Sequence, residues 1–315
     1  MELNNFIVYV RCNTYNQASY IEDALNGFCM QKTTFPYICL VFDDASTDGE
    51  TDVINKYMQK NFDLNDKSVM SELDTDDYHL TFAQHLINKN CFFAVYYLKY
   101  NHHSIKKSKW PYFNKMIYGA KYAAICEGDD YWTDPFKIQK QYDMMEKHPD
   151  YSLCFHAHHE LFPDGTLSER HPVILQNCYS TEDVIPKGGS FAATNSLFYR
   201  TGVMVNKVFP DFWKNAPVGD GPRMLYYSTI GRLGYINETM SVHRFQAKNS
   251  WTLRQNVSIK RKWGHYKKMS MMYDSFDKYT DMKYHELIEV KKKKMKKHAV
   301  KSILGIVLKG RWYKN

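Results

Sequence analysis

Phe6-Ile7-Val8-Tyr9-Val10 and Tyr37-Ile38-Cys39-Leu40-Val41-Phe42 are short β-branched and aromatic runs that end in polar, turn-forming residues, as buried strands do. Between them the segment Ser19 to Phe28 places Ile21, Ala24, Leu25 and Phe28 at helical spacing behind a serine able to cap its start. Strand, helix and strand this close in sequence make a βαβ unit, and such a unit requires a parallel sheet. The pattern then continues. Ser46-Thr47-Asp48-Gly49-Glu50 opens a helix predicted to run through Met58, Cys91 to Leu98 reads as a third strand, and Ala120 to Cys126 as a fourth. Thr133-Asp134-Pro135 supplies a cap and a first-turn proline for a further helix with Ile138, Tyr142 and Met145 on one face. The polar stretch 61–90 reads as an insertion of unassigned shape. The expected class is α/β, a mostly parallel sheet flanked by helices.

A chain of 315 residues, 44% hydrophobic and 16% aromatic, has ample material for a buried core. Its seven cysteines are odd in number, scattered and without a CxxC pair, which argues for reduced thiols in a cytosolic protein and against a disulfide framework or a zinc site. The first five residues lack a basic-then-apolar leader, and no run of eighteen apolar residues occurs, so neither export nor a membrane span is expected. Residues 251–315 carry 18 Lys+Arg against 5 Asp+Glu, whereas residues 1–250 carry 24 against 29. A nucleic-acid-binding protein needs basic charge across its folded surface, and here the body is mildly acidic.

In open α/β sheets ligands sit at the carboxyl ends of the strands, and two acidic clusters fall there. Glu127-Gly128-Asp129-Asp130 puts three carboxylates into four residues after an apolar strand, a repulsive arrangement unless protons or a cation offset it. Asp43-Asp44-Ala45-Ser46-Thr47-Asp48 follows the second strand. A turn and helix cap explain Ser46 to Asp48 but not the two aspartates, which suit ribose hydroxyls or a base imide. Thr14-Tyr15-Asn16 after the first strand offers an aromatic face with polar neighbours. Asp220 stands in the glycine-flanked turn Val218-Gly219-Asp220-Gly221-Pro222.

In this order the four segments resemble family 2 glycosyltransferases of the GT-A fold, in the bacterial cell-surface polysaccharide branch. The resemblance covers about residues 5–250, and Cys126 to Pro135 is its most characteristic stretch; Gly219-Asp220 and His243-Arg244 also match. It implies that Thr14, Tyr15, Asn16, Asp43 and Asp44 hold the nucleotide. It implies Mn²⁺ or Mg²⁺ on Asp129 and Glu127, with Gly128 and Asp130 beside it, neutralising the leaving diphosphate. Asp220 falls where the family keeps the base that deprotonates an acceptor hydroxyl in an inverting displacement. Glu127 stands where aspartate is commoner, and Gln246 where histidine is frequent, which weakens a metal or diphosphate role there. Asn114 and the cluster Lys106, Lys107 and Lys109 lie where the donor is usually contacted, at irregular spacing. The implied reaction moves a sugar from a nucleotide-diphosphate donor, UDP-linked by preference, to a glycan or lipid-linked acceptor.

Residues 1–130 are then the donor half, 131–250 the acceptor half and 251–315 a basic helical tail. Trp132, Asn195 and His243 are candidate acceptor contacts, Trp213 and Trp251 candidate sugar platforms, and Gly188-Gly189-Ser190 a flexible polar floor. The tail joins Lys291-Lys292-Lys293-Lys294-Met295-Lys296-Lys297 to Ile303-Leu304-Gly305-Ile306-Val307-Leu308, a composition suited to the inner surface of an anionic membrane or to covering the catalytic domain. An inert nucleotide-sugar-binding or scaffold protein of the same fold is the competing reading, opposed by the presence of all three acidic elements. A nucleotidyltransferase would want a glycine-rich phosphate loop near the N-terminus, and Arg11 to Asn16 contains no glycine.

Overall fold

The computed structural model of the chain describes residues 6–203, 209–247 and 259–312. The elements run β1 (Val8–Thr14), α1 (Ile21–Cys29), β2 (Tyr37–Asp43), α2 (Glu50–Asn61), β3 (Met70–Asp74), β4 (Tyr78–Gln84), β5 (Cys91–Leu98), α3 (Trp110–Gly119), β6 (Tyr122–Ile125), β7 (Tyr131–Trp132), α4 (Lys137–Lys147), β8 (Tyr151–Leu161), β9 (Leu167–Arg170), β10 (Cys178–Tyr179), α5 (Thr181–Val184), β11 (Phe198–Arg200), α6 (Asp211–Lys214), α7 (Asp220–Ile230), β12 (Arg232–Arg244), α8 (Ile259–Tyr279) and α9 (His285–Trp312). They form two compact units, one of residues 1–177, 192–205 and 234–247, the other of 178–191, 206–233 and 248–315. This division does not follow the expected boundaries after residues 130 and 250.

The larger unit is built on a sheet ordered β12-β8-β11-β6-β1-β2-β5-β4-β3. β1 lies parallel to both β2 and β6, and β2 parallel to β5, as the βαβ reading requires. Every residue of β2 and β6 is buried, because helices and loops cover both sheet faces, and such strands read as unbroken apolar runs. α1 buries Ile21, Ala24, Leu25 and Phe28, the four residues its spacing selects. Chain order runs outward from β1 through β2 to β5 and then returns to β6 on the other side of β1, so the sheet has a switch point between β1 and β6. The 61–90 segment forms the antiparallel hairpin β3–β4, which extends the sheet beyond β5. Alternation failed to announce it because β3, at the sheet edge, buries none of its residues.

Two packing features hold α1, β7 and α4 together. The backbone of Trp132 comes so close to α1 that a Cβ on Gly27 would lie 2.9 Å from the Trp132 nitrogen. The Trp132 ring is buried, meets Phe28 edge-on at 5.0 Å and donates its indole N–H to the Asn195 carbonyl at 2.8 Å. Lys137 is wholly buried beneath that ring, its Nζ 4.0 Å from the centroid and 2.6 Å from Gln141 Oε1. All seven cysteines are free thiols, six of them buried.

The smaller unit is helical. Phe212 of α6 packs 5.1 Å from both Phe276 and Tyr279 of α8, and α9 is tied to α8 by Asp277 with His285 and by Asp274 with Lys292. Gly188-Gly189-Ser190 is a short 3₁₀ turn rather than a flexible floor. Gly188 has φ +60°, and a Cβ there would sit 2.6 Å from the Tyr273 hydroxyl. Trp251 lies outside the described residues.

Burial pushes the Lys137 amine down to about 7, so between that value and the ordinary lysine range the unfolded chain binds a proton that the folded chain does not. Stability from this site therefore rises with pH across the window, by up to about 1.4 kcal/mol per pH unit. Lys137→Met removes the dependence. Its urea-unfolding free energy, relative to wild type, is expected to fall by about 3 kcal/mol from pH 7 to 10; parallel profiles would show that Lys137 stays charged in the fold.

Candidate functional site

β1 and β2 end in register, Thr14 opposite Asp43, and the chain leaving β6 continues alongside β1 through bonds from the Cys126 amide to the Arg11 carbonyl and from the Gly128 amide to the Asn13 carbonyl. Three loops, 14–18, 43–50 and 126–130, therefore meet at the carboxyl end of the switch point. The first two are laced together. Asn16 Oδ1 accepts the Thr47 amide at 2.7 Å, Ser46 Oγ accepts the Asn16 amide at 3.0 Å, and Asp48 Oδ2 accepts the Ala18 amide at 3.0 Å. The lacing puts two non-glycine residues in the left-handed region, Asn16 at φ 55° and Ala45 at φ 59°. Asparagine tolerates this conformation; alanine pays about 1–2 kcal/mol for it.

Glu50 is the hub that sequence reasoning took only for part of a helix start. It is fully buried; its Oε2 accepts the Gln17 amide at 3.0 Å and the Ser46 hydroxyl at 2.7 Å, and its Oε1 accepts the Thr14 hydroxyl. Burial pushes its carboxyl up, and these bonds pull it back. The legible signal was a carboxylate four residues after a serine, at the first position of α2.

Asp43 and Asp44 are both buried, and each has protein partners. Asp43 Oδ1 accepts the Ser46 amide at 3.0 Å, and its Oδ2 accepts the Thr51 hydroxyl. Asp44 accepts the His102 amide at 2.7 Å and the His103 amide at 3.2 Å, and pairs with Lys109 Nζ at 3.1 Å. In the fold the two aspartates therefore fix the loop and the 102–109 segment. Lys107 turns the other way, bonding Asp77 and Tyr100 at 2.6 Å each. Tyr15, by contrast, is 37% exposed, an aromatic face open at the loop tip.

In the acidic turn Glu127 is exposed, Gly128 buried, Asp129 half-buried and Asp130 buried. A Cβ on Gly128 would fall 2.3 Å from Thr14 Oγ1 and 2.6 Å from Gln17 Oε1, so the turn approaches the first loop as only glycine permits. Arg244, at the end of β12, holds the turn from the other side. Its amide donates to Asp130 Oδ1 at 2.9 Å and its Nη1 to the Asp129 carbonyl at 2.8 Å, while Nη2 pairs with Asp23. The guanidinium lies 4.9 Å from the Tyr20 ring centroid and 4.6 Å from that of Tyr131.

Burial pushes the Asp129 carboxyl up, and it pushes Asp130 well up, with the Asp129 charge adding to the effect. Among the described residues no lysine or arginine side chain forms an ion pair with either carboxylate. Two neighbouring acids short of positive charge, beside an exposed third, suit a hard divalent cation. Among the described residues no three His, Cys, Asp or Glu side chains converge as a complete metal cage. A cation here would take part of its shell from a ligand's phosphates, as magnesium commonly does.

The remaining expected residues divide. His243 adjoins the clamp, its Nδ1 3.9 Å from Glu160 and its ring 6.3 Å from that of His158, and Gln246 has φ 56° in the turn after β12. Trp132 and Asn195, expected to meet an acceptor, are instead core: Asn195 is fully buried, with Nδ2 bonded to the Val242 carbonyl and Oδ1 to Ser241 Oγ. Trp213 packs against Phe209 at 4.8 Å and Tyr226 at 5.4 Å. Asp220 belongs to the smaller unit, as the first residue of α7; its side chain is 54% exposed, 3.8 Å from Arg223. A Cβ on Gly189 would be 3.0 Å from the Gly221 nitrogen, so that glycine serves close packing at the start of α7.

No family model matches the chain. Uncharacterized proteins of Mycobacterium tuberculosis and Mycobacterium bovis are 30% identical to it over 241 residues, 76% of this chain and 58% of theirs, so the chain spans little more than half the length of these relatives. Among solved structures, residues 1–349 of S. aureus TarS, in complex with UDP, match with a TM-score of 0.51 at 14% identity, over 84% of this chain and 65% of that one. The mannosyltransferase PcManGT from Pyrobaculum calidifontis, in complex with GDP-Man and Mn²⁺, matches with a TM-score of 0.52 at 12% identity, over 98% and 80%. These likenesses show the fold: a mixed α/β architecture similar to that of GT-A glycosyltransferases.

Two substitutions with opposite expected signs test the loop geometry. Gly128→Ala forces the acidic turn away from Thr14 and is expected to cost about 1–3 kcal/mol. Ala45→Gly relieves a left-handed alanine and is expected to stabilise by up to about 1 kcal/mol, once the greater freedom of glycine in the unfolded chain is subtracted. Denaturant titration reads both, and a destabilised Ala45→Gly would contradict the strain.

Proposed function

We propose that this chain is an inverting glycosyltransferase of the family 2 type, moving a sugar from a nucleotide-diphosphate donor, UDP-linked by preference, to a glycan or lipid-linked acceptor in polysaccharide synthesis. The observation that carries the reading is the pair of buried Asp130 and half-buried Asp129, which among the described residues have no ion-paired lysine or arginine and whose turn is gripped by Arg244 at the switch point. Asp129 and the exposed Glu127 are the residues that would hold Mn²⁺ or Mg²⁺. The cation, when bound, offsets charge that develops on the departing diphosphate.

Asp130, engaged by the Arg244 amide, fixes the shape of the turn and leaves the outward position to Asp129. Tyr15 offers its exposed ring to the base by stacking, while Thr14, Asn16, Asp43 and Asp44 keep that loop in place from within. Asp220, half-exposed at the first turn of α7, is assigned the proton of the attacking hydroxyl, on the strength of the sequence resemblance. His243 keeps its assignment as an acceptor contact.

A thermal-shift and donor-hydrolysis screen of UDP-, GDP- and dTDP-sugars, with and without Mn²⁺, tests the reading. One donor is expected to give manganese-dependent stabilisation and turnover, both lost in Asp129→Ala. Stabilisation without turnover, on any acceptor, would leave a nucleotide-sugar-binding protein, and no response to any donor would overturn the assignment. Asp220→Asn is expected to lower transfer by on the order of 100-fold or more with donor binding retained; transfer equal to wild type would remove Asp220 as base.

A further inference from the structure

α9 divides lengthwise into two chemically different faces. Ile288 and Ala299 are buried on the inner one, and the first two lysines of the basic run are spent there: Lys291 Nζ donates to the Pro186 carbonyl at 3.0 Å, and Lys292 Nζ pairs with Asp274 and Glu289. The opposite face carries Val290, Lys293, Lys297, Val300, Lys301 and Leu304, whose spacings of three and four place them in one stripe. All six are exposed, including the aliphatic ones, at 48% for Val290, 41% for Val300 and 55% for Leu304. Among the described residues none of Lys293, Lys297 and Lys301 forms an ion pair, and Lys294 and Lys296, also exposed, flank the stripe.

Single exposed aliphatics are ordinary on a solvated face, but three of them sharing one stripe with three lysines that form no ion pair among the described residues are more than solvation calls for. Alternation of the two on one exposed stripe fits a surface that is anionic at its boundary and apolar just below it. We propose that this face of α9 is a docking surface for an anionic phospholipid bilayer, with the lysines at the headgroups and Val290, Val300 and Leu304 inserted among the upper acyl carbons. No helix among the described residues is long and apolar enough to cross a membrane, so the contact is parallel to the surface. The proposal is independent of the reaction assigned above, and its test uses no sugar donor.

Sedimentation of the full chain with vesicles of phosphatidylcholine alone, or with one third phosphatidylglycerol, reads the interaction at low and at physiological salt. Binding is expected only with phosphatidylglycerol and is expected to weaken with salt. Lys293→Gln/Lys297→Gln/Lys301→Gln should lower affinity by about a hundredfold, from the usual gain per lysine at such a surface. Val300→Ser/Leu304→Ser keeps the charge and should lower it by about tenfold. Circular dichroism confirms that both variants retain their helix; should either lose it, the same substitutions made singly replace it. Absence of binding to phosphatidylglycerol vesicles, or wild-type binding by the lysine variant, overturns the proposal. Unchanged binding by the serine variant also overturns it, because a merely electrostatic face would equally take nucleic acid or an acidic polymer.

Discussion

Arg244 is the fulcrum of the candidate site. Its backbone amide and its guanidinium reach the acidic turn from β12, a strand far from β6 in the sheet order, and the same guanidinium ties the turn to Asp23 on α1 between two tyrosine rings. Two repelling carboxylates at the end of β6 would otherwise open toward solvent. The guanidinium is spent on the Asp129 carbonyl and on Asp23, and only the neutral backbone N–H reaches an oxygen of Asp130, so the clamp fixes where the pair points without an ion pair to either side chain. A bonded scaffold around an unsatisfied charge is what a site for a cation-bound anionic ligand needs before the ligand arrives.

The opposite wall is organised by an acid as well. Glu50 joins the ends of β1 and β2 through Thr14, Gln17 and Ser46, and Gly128 lets the acidic turn rest against that junction. Strain at Ala45 is stored where these bonds over-determine the backbone. Loops fixed in advance would lose little freedom on ordering around a ligand.

The four mutually parallel strands β1, β2, β5 and β6 were legible because, covered on both faces, they are plain apolar runs, whereas β7 to β12 were not assigned; β2, β5 and the inward face of α1 fall where the sequence puts them. The β3–β4 hairpin was not, since an edge strand with no buried residue has no pattern to display. At the site, residue type located the three loops, but it did not separate groups facing a ligand from groups facing the protein. Asp43 and Asp44 look like ligand acids and are bonded inward; Trp132 looks like an acceptor contact and is core; Glu50 looks like part of a helix start and is buried. That distinction depends on which backbone amides lie within 3 Å of a carboxylate, a property of loop closure that spacing does not encode.

Six buried thiols give the fold an asymmetric relation to oxidants. Cys12, Cys29, Cys39, Cys91, Cys126 and Cys154 all have burial pushing the thiol up, so in the native chain almost none is thiolate, and all but Cys29 are fully shut off from solvent. Global unfolding releases all of them at once, with ordinary acidity, into a chain that has no native pairing to guide them. In air random cross-linking of the unfolded molecule then competes with refolding, and where it outruns refolding heat inactivation is a matter of lifetime, not of equilibrium. Reductant in the buffer decides which of the two an unfolding experiment measures.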